Sequence, residues 1–340
     1  MVRQSLELNS DIPLRSTPSK RVESSVFWIP LPTNAYTRFI DALPEDPRVL
    51  QLCALITLFS YGLITKVFSF EPLKIIAVFS AAFATQFIGS LINAIRMDTR
   101  SAAVTSLSLL LLLRADNPMI MALAASIAIG SKFLIRLYGK HIFNPANIGI
   151  VTLLIVSSLM PVGSSLSGAA WTTPGQWGTA IWLAALLAGI GFIITSRAAR
   201  LDIPLTFLAV FAGLAFARAA WLGDPISIPI HRLQNSALML FAFFMIADPK
   251  TTPDTPLGRI LFAGLTATLA HWLIFQNFIS DGIFYALAIM CIIRPVLDAI
   301  ALAPAYTWPK HHNQNPACRD AAQQNSPFKS NSHFKRKERH

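Results

Sequence analysis

Leu137-Tyr138-Gly139-Lys140-His141-Ile142-Phe143-Asn144-Pro145-Ala146-Asn147-Ile148-Gly149 separates two long apolar runs and carries more polar chemistry than a plain connection. Gly139 supplies a hinge and Asn144-Pro145 reads as a helix start. Lys140, His141, Asn144 and Asn147 therefore gather in a re-entrant turn between two apparent membrane spans. Irregular backbone at membrane depth is tolerated only where protein or ligand satisfies its polar groups. The competing reading is an ordinary polar loop, because Gly, Asn and Pro are common in any connection.

The chain around this stretch has 340 residues, 54% of them hydrophobic and only 13% charged; soluble domains carry roughly 25%. The composition is that of an integral membrane protein. Apolar runs recur between about residues 49 and 303 and both ends are polar, which predicts three parts. These are a cytoplasmic arm over 1–47, a membrane domain over 48–305 and a disordered basic tail over 306–340. The net charge of +11 lies largely in the tail and beside spans, so it reads as positive-inside charge rather than a nucleic-acid surface. Cys53 and Cys291 lie in apolar runs and Cys318 in the tail, a spacing that suits neither a metal site nor a disulfide framework. The first residues include Glu7 and Asp11 and form no apolar core after a basic start, so no cleavable signal peptide is expected.

Ten candidate spans follow, at about 49–65, 75–95, 102–113, 119–138, 147–162, 177–195, 203–222, 233–247, 258–276 and 283–303. Two are short for a bilayer, which needs about 20 residues: 102–113, shut in by Arg100 and Arg114, and 233–247, stopped by Asp248-Pro249. Arg96, Arg100, Lys132, Arg136, Lys140, Arg197, Arg200, Lys250 and Arg259 fall on one side with both basic tails. Lys66, Lys74, Arg114, Arg218 and Arg232 fall on the other. That asymmetry predicts an inner-membrane protein with both termini cytoplasmic. Dividing the spans into five plus five pairs the two short ones, and an odd number per half inverts the second. The fold expected is thus an all-α membrane protein of about ten transmembrane helices in two inverted five-helix repeats. Paired broken spans at matching places point to a binding site near the midplane.

Asp248-Pro249-Lys250-Thr251-Thr252-Pro253-Asp254 follows an almost wholly apolar helix and offers a carboxylate, hydroxyls and freed backbone groups. It reads either as a place to hold a cation or a polar cofactor ring, or as a rigid turn in which Asp248 pairs with Lys250 or caps the next helix. Lys132, Arg136 and Lys140, four apart, suggest a helical stripe that holds a phosphate or snorkels to headgroups. His271 beside Trp272 suits a proton relay or a neutral core histidine. Arg294 and Asp298 suit an intrahelical ion pair. The loop from Gly163 to Gly178 contains Ser167-Gly168-Ala169-Ala170-Trp171-Thr172-Thr173; its tryptophans read as interface anchors or as the wall of a flat-ring site.

Gly139-Lys140-His141-Ile142-Phe143-Asn144-Pro145-Ala146, followed far downstream by Asp248-Pro249-Lys250-Thr251-Thr252-Pro253, resembles the NqrB/RnfD family. These are membrane subunits of the sodium-pumping NADH:quinone oxidoreductase and of the Rnf electron-transport complex. The resemblance implies the ten-span inverted-repeat layout over residues 46–303, a flavin (FMN or riboflavin), and redox partner subunits beside membrane lipid. Respiratory members attach FMN to the Thr of a Ser-Gly-Ala-Thr motif. Here Ser167-Gly168-Ala169 continues with Ala170, which has no hydroxyl for the phosphoester. The resemblance is therefore to a stand-alone branch, and implies non-covalent flavin.

The reading that results is a membrane electron-transfer protein, a candidate subunit of an oxidoreductase with coupling to cation movement. Its cofactor-binding residues are expected to be Lys140, His141, Asn144, Asn147, Asp248, Thr251 and Thr252, with Lys140 near any phosphate; no metal site is expected. A channel or transporter for a small solute or ion, without redox chemistry, is the rival from another class. Broken spans suit it as well.

Overall fold

The computed structural model describes residues 46–300, apart from 66–70, 138–139, 162–163, 165–166 and 173–180, together with Pro44. The expected arm up to residue 43, the expected tail, the Gly139 hinge and Trp177 lie outside the described residues. In chain order the elements are α1 (Pro47–Ile64), α2 (Pro72–Ile92), α3 (Thr99–Leu112), β1 (Leu113–Ala115), α4 (Pro118–Leu134), β2 (Arg136–Leu137), β3 (Lys140–His141) and α5 (Pro145–Leu159). Then come β4 (Ala170–Thr172), α6 (Ile181–Arg197), α7 (Asp202–Leu222), α8 (Ser227–Leu233) and α9 (Ser236–Leu240), which widens into a π turn at Phe241–Met245. Last are α10 (Pro256–Phe275) and α11 (Gly282–Ile300).

Asp46, Asn117, Asn144 and Thr255 start helices by one device. Each side chain accepts a backbone N–H of the first turn, and each is followed by a proline whose fixed φ suits the first helical position. The Asn144-Pro145 start is thus as expected. α7 stops at Gly223, whose φ of 71° is the left-handed cap that glycine adopts without strain.

The described protein is mostly helical. Helices α1, α2, α7, α10 and α11 are long and apolar enough to cross a membrane, while α3, α4, α5 and the described side chains of α6 form shorter apolar helices. Length and composition therefore carry five of the ten crossings expected. Outward-facing Ile64, Leu91, Ile92, Leu134 and Leu159 are exposed, as suits a lipid solvent.

Packing recurs along the chain. Helix α2 lies against α4 and α4 against α5; later, α7 lies against α10 and α10 against α11. Likewise α1 meets α3, and α6 meets α9 with its π turn. The two sets touch through α1 with α6 and α5 with α11. Close approach is built in with small residues, because lipid gives helices no hydrophobic reason to associate. A Cβ on Gly149 would lie 2.7 Å from the Ala124 carbonyl oxygen and 2.9 Å from Ala128 Cβ, so α5 rests directly on α4.

Both short candidate spans break. Helix α3 passes at Leu113 into β1, which pairs antiparallel with β4 in the register Leu113 to Thr172, Arg114 to Trp171 and Ala115 to Ala170. The span expected at 233–247 is divided among the end of α8, α9 and the π turn. The fourth differs too: α4 ends at Leu134 and reverses through a hairpin that pairs Arg136 with His141 and Leu137 with Lys140. Lys132, Arg136 and Lys140 therefore share no helical stripe, because cross-strand bonds replace the helix after Ile135.

Candidate functional site

The π turn at the end of α9 sets the site. Widening the helix frees carbonyls, and side chains from the first half of the chain take them up. Asn144 Nδ2 donates to the Met245 carbonyl at 3.1 Å and Gln51 Nε2 to the Phe244 carbonyl at 3.4 Å. Asn144 Oδ1 accepts the Asn147 N–H at 3.2 Å, so one asparagine caps α5 and closes the π turn together. Asn147 Nδ2 donates to the Phe284 carbonyl at 3.1 Å, while its buried Oδ1 has no hydrogen-bond partner among the described residues.

The motif after the π turn is a tight internal turn. Asp248 Oδ1 accepts the Lys250 N–H at 3.0 Å, and the Thr251 and Thr252 hydroxyls donate to the Asp248 carbonyl at 3.2 and 3.1 Å. Both threonines are fully buried. The helix that follows is capped by Thr255 rather than Asp248. His141 Nε2 stands 4.0 Å from Asp248 Oδ2. Burial pushes the Asp248 carboxyl up, but His141 and the Lys250 N–H outweigh it and hold the group below its ordinary 3.8.

Lys140 is committed elsewhere. Its Nζ contacts both oxygens of Asp254, at 2.6 and 2.5 Å, and Arg200 approaches the same carboxylate at 3.7 Å. The Asp254 N–H donates to Asp298 Oδ1 at 3.2 Å; Asp298 in turn pairs with Arg294 at 3.7 Å, the intrahelical pair expected from their spacing. Arg294 Nη1 also donates to the Lys250 carbonyl at 3.2 Å. The β2–β3 hairpin is thereby tied to the Asp248–Asp254 turn.

Beside this tie lies a cavity of about 200 Å3. Leu55, Val104, Leu111, Leu240, Phe243 and Phe244 form its apolar walls. At the charged end Arg48, Arg96, Lys132, Arg136 and Lys250 line it against only two carboxylates, Asp98 and Asp248. Lys132 Nζ donates to Gln86 Oε1 at 2.7 Å and Ser101 Oγ at 2.9 Å, so neutral partners hold this charge against the cavity. Arg48 bridges Asp46 at 2.8 Å and Asp98 at 2.9 Å, and Arg100 joins Asp46 at 2.8 Å.

Of the seven residues expected to bind a cofactor, His141, Asn144 and Asp248 line this cavity. Lys140, Asn147, Thr251 and Thr252 do not; the Lys140 ammonium, the Asn147 amide N–H and the two threonine hydroxyls are spent on contacts that hold the wall. Gln51, Gln86 and Ser101 were missed. The glutamines had a readable signal, since a polar side chain inside an apolar run is expensive unless it has a role.

The Ser-Gly-Ala-Ala stretch lies at the opposite end of the bundle. Gly168 adopts a φ of 65°, and Ala170 is 8% exposed, its N–H directed at Ser157 Oγ at 3.3 Å. Thr172 donates its hydroxyl to Asp281. His271 packs on Phe275, ring centroids 4.5 Å apart, and edge-on to Phe211 at 6.4 Å. This is the environment of a core histidine.

The profile of the NQR2, RnfD, RnfE family matches residues 48–306, which include both broken segments and the cavity between them. The chain belongs to this family. Among its relatives, the RnfD protein of the ion-translocating oxidoreductase complex of Citrobacter koseri is 34% identical over 135 residues, and its counterpart from Escherichia coli O9:H4 is 36% identical over 137. Each alignment covers 39% of this chain and 36% of the relative, so the chain spans about a third of the length of these relatives. The structure is accordingly that of an RnfD-like membrane protein.

Proposed function

We propose that this chain is an electron-transfer subunit of an ion-translocating membrane oxidoreductase, and that it holds a flavin without a covalent bond in the cavity between its two halves. The observation that carries the proposal is the cavity itself. It pairs apolar and aromatic walls with a strongly basic rim at the place where the two family motifs meet. Its volume of about 200 Å3 lies below the roughly 300–1,000 Å3 of typical ligand clefts, so a flavin held here would seat its ring and leave its anionic side chain at the basic rim. His141 Nε2 is buried with Asp248 Oδ2 4.0 Å away, too far for a hydrogen bond, and would offer its polar edge to a ring. Phe243 and Phe244 would face the ring, and Lys132 and Lys250 a phosphate.

A bound flavin supplies one- and two-electron transfer. The residues here bind and orient it, and the bonds of Asn144 and Asp248 keep the wall rigid. The repeated packing, with α2 on α4 on α5 and α7 on α10 on α11, supports an inverted pair of five-helix halves. The concentration of Lys and Arg around the cavity supports a cytoplasmic position for that end and for both termini. Electron donor, acceptor and any cation-handling partners belong to other chains.

The test is an absorption spectrum of the purified protein, followed by denaturation. A yellow preparation that releases all its flavin, leaving no fluorescent band on a denaturing gel, agrees with the proposal. Colourless protein from flavin-replete cells overturns it in favour of a solute pathway. A retained band would place the flavin at a hydroxyl near Ala170.

A further inference from the structure

At the end of the bundle opposite the cavity, two arginines converge on one ring. Arg218 Cζ of α7 lies 4.9 Å from the centroid of Phe275, and Arg232 Cζ of α8 lies 5.1 Å from it, so the two guanidiniums are no more than about 10 Å apart. Like charges this close repel, and their attraction to the ring only partly offsets that. Arg218 has a carboxylate partner, Asp224, at 3.3 Å. Among the described residues Arg232 has none, and the cluster keeps an uncompensated positive charge. His271, tilted against the same ring, adds a buried Nε2 with no hydrogen-bond partner among the described residues.

The surroundings say what kind of anion fits. Trp221, 88% exposed, and Ile226, 67% exposed, lie between the two arginines in sequence, and Phe278, 84% exposed, follows Phe275. Exposed aromatic and apolar side chains beside arginine, at the end of a membrane-crossing helix, mark the boundary between hydrocarbon and headgroups. The planar fork of a guanidinium matches two oxygens of a phosphate, and a second guanidinium within about 10 Å adds attraction to the same anion. We propose that Arg218 and Arg232, set on Phe275, form a binding site for the headgroup phosphate of an anionic phospholipid, with the acyl chains lying along Trp221 and Ile226. A zwitterionic lipid fits less well, since its cationic headgroup would meet the same unpaired charge. The inference is independent of the flavin.

The experiment titrates detergent-purified full-length protein with short-chain phosphatidylglycerol, phosphatidylcholine and inorganic phosphate, reading the thermal unfolding midpoint and, by native mass spectrometry, the lipid retained. The site predicts that phosphatidylglycerol alone raises the midpoint. Arg232→Gln should weaken that response about tenfold, the scale of one lost charge-assisted contact. Arg232→Lys should recover part of it. Lys74→Gln, which removes the same charge from a lysine paired with Glu71, should leave it unchanged. Equal responses to both lipids, or an undiminished response in both Arg232→Gln and Arg218→Gln, would overturn the proposal. A response to inorganic phosphate as large as that to the lipid would make this a free-anion site and overturn the lipid assignment. If Arg232→Gln does not fold, the wild-type comparison among the three ligands decides alone.

Discussion

The two interrupted helices, α3 and α9, solve the same problem in different ways. Helix α3 ends at Leu112, and the guanidinium of Arg114 turns back onto the Leu110 and Leu113 carbonyls at 2.5 and 3.0 Å, while β4 pairs with the extended residues. That break is closed by its own neighbours together with β4, more than fifty positions further on, and Leu111 and Leu112 just before it also line the cavity. The break after α9 is closed by Gln51 and Asn144, residues 193 and 101 positions away, and it borders the cavity. The side chain that closes the first break comes from the break itself, which suits a scaffold. The side chains that close the second come from the other half of the chain, and the cavity proposed to hold the flavin lies beside them.

This comparison is most severely tested at Asp254, which anchors the second break through Lys140 and Arg200. Asp254→Ala leaves both cations without their carboxylate and should destabilise by about 3 kcal/mol or more, since stripping one partner from a buried pair is costly. Lys140→Met should cost less, because Arg200 remains on Asp254. Thermal or denaturant unfolding in detergent measures both, and equal losses would show that Lys140 carries the whole tie.

Asn144→Leu comes next. It removes the cap of α5, worth about 1 kcal/mol, and strands the Met245 carbonyl, worth about 1–3 kcal/mol. Stability and flavin occupancy should fall together, the second read by absorbance at matched protein concentration. Arg114→Gln should weaken the first break by about 1–2 kcal/mol while occupancy stays at the wild-type level. If Arg114→Gln releases flavin and Asn144→Leu does not, the assignment of scaffold and site is reversed.

The smallest effect separates the two ends by pH. At the cavity end burial pushes the Asp46 carboxyl up, but hydrogen bonds and charge from Arg48, with Arg100, outweigh it and hold the group below its ordinary 3.8. Its stabilisation is full above pH 3.8 and disappears as the pH falls through its lower folded value. At the opposite end burial pushes the Asp281 carboxyl above 3.8, only partly countered by the Thr172 hydroxyl. The unfolded chain gives up that proton first, so Asp281 destabilises the fold as the pH rises from 3.8 through its raised value. Asp46→Asn should flatten the acid limb of an unfolding midpoint against pH, and Asp281→Asn should raise the midpoint near neutrality slightly. The same slope change in both variants would remove the contrast.

Much of this was legible because polar residues stand out in an apolar background. Asp46-Pro47, Asn117-Pro118, Asn144-Pro145 and Thr255-Pro256 announce helix starts, since each pairs a capping oxygen with a residue that lacks the donor a helix start leaves unpaired. The two motifs, the two short apolar runs, the Arg294–Asp298 pair and the family itself rest on such local signals. Phe241–Met245, by contrast, has nothing in its five apolar residues to announce a π turn. The extended pairing of Leu113–Ala115 likewise depends on a strand more than fifty positions further on.

Chemical type and local conformation were determined by the sequence alone: a membrane protein, its helix starts, its breaks, and a short set of polar residues from which any site must be drawn. Tertiary structure decided how those residues spend their bonds. Thr251 and Thr252 look like ligand hydroxyls until they are seen to donate to the Asp248 carbonyl. Lys140 looks like a free phosphate ligand until Asp254, 114 positions away, is found against it. Lys132, whose hydrogen-bond partners among the described residues are the neutral Gln86 and Ser101, keeps its charge directed at the cavity instead. The physical reason is that a hydrogen bond or ion pair joins whatever groups the fold brings within about 3 Å. That proximity is a property of packed helices and cannot be read from spacing along the chain.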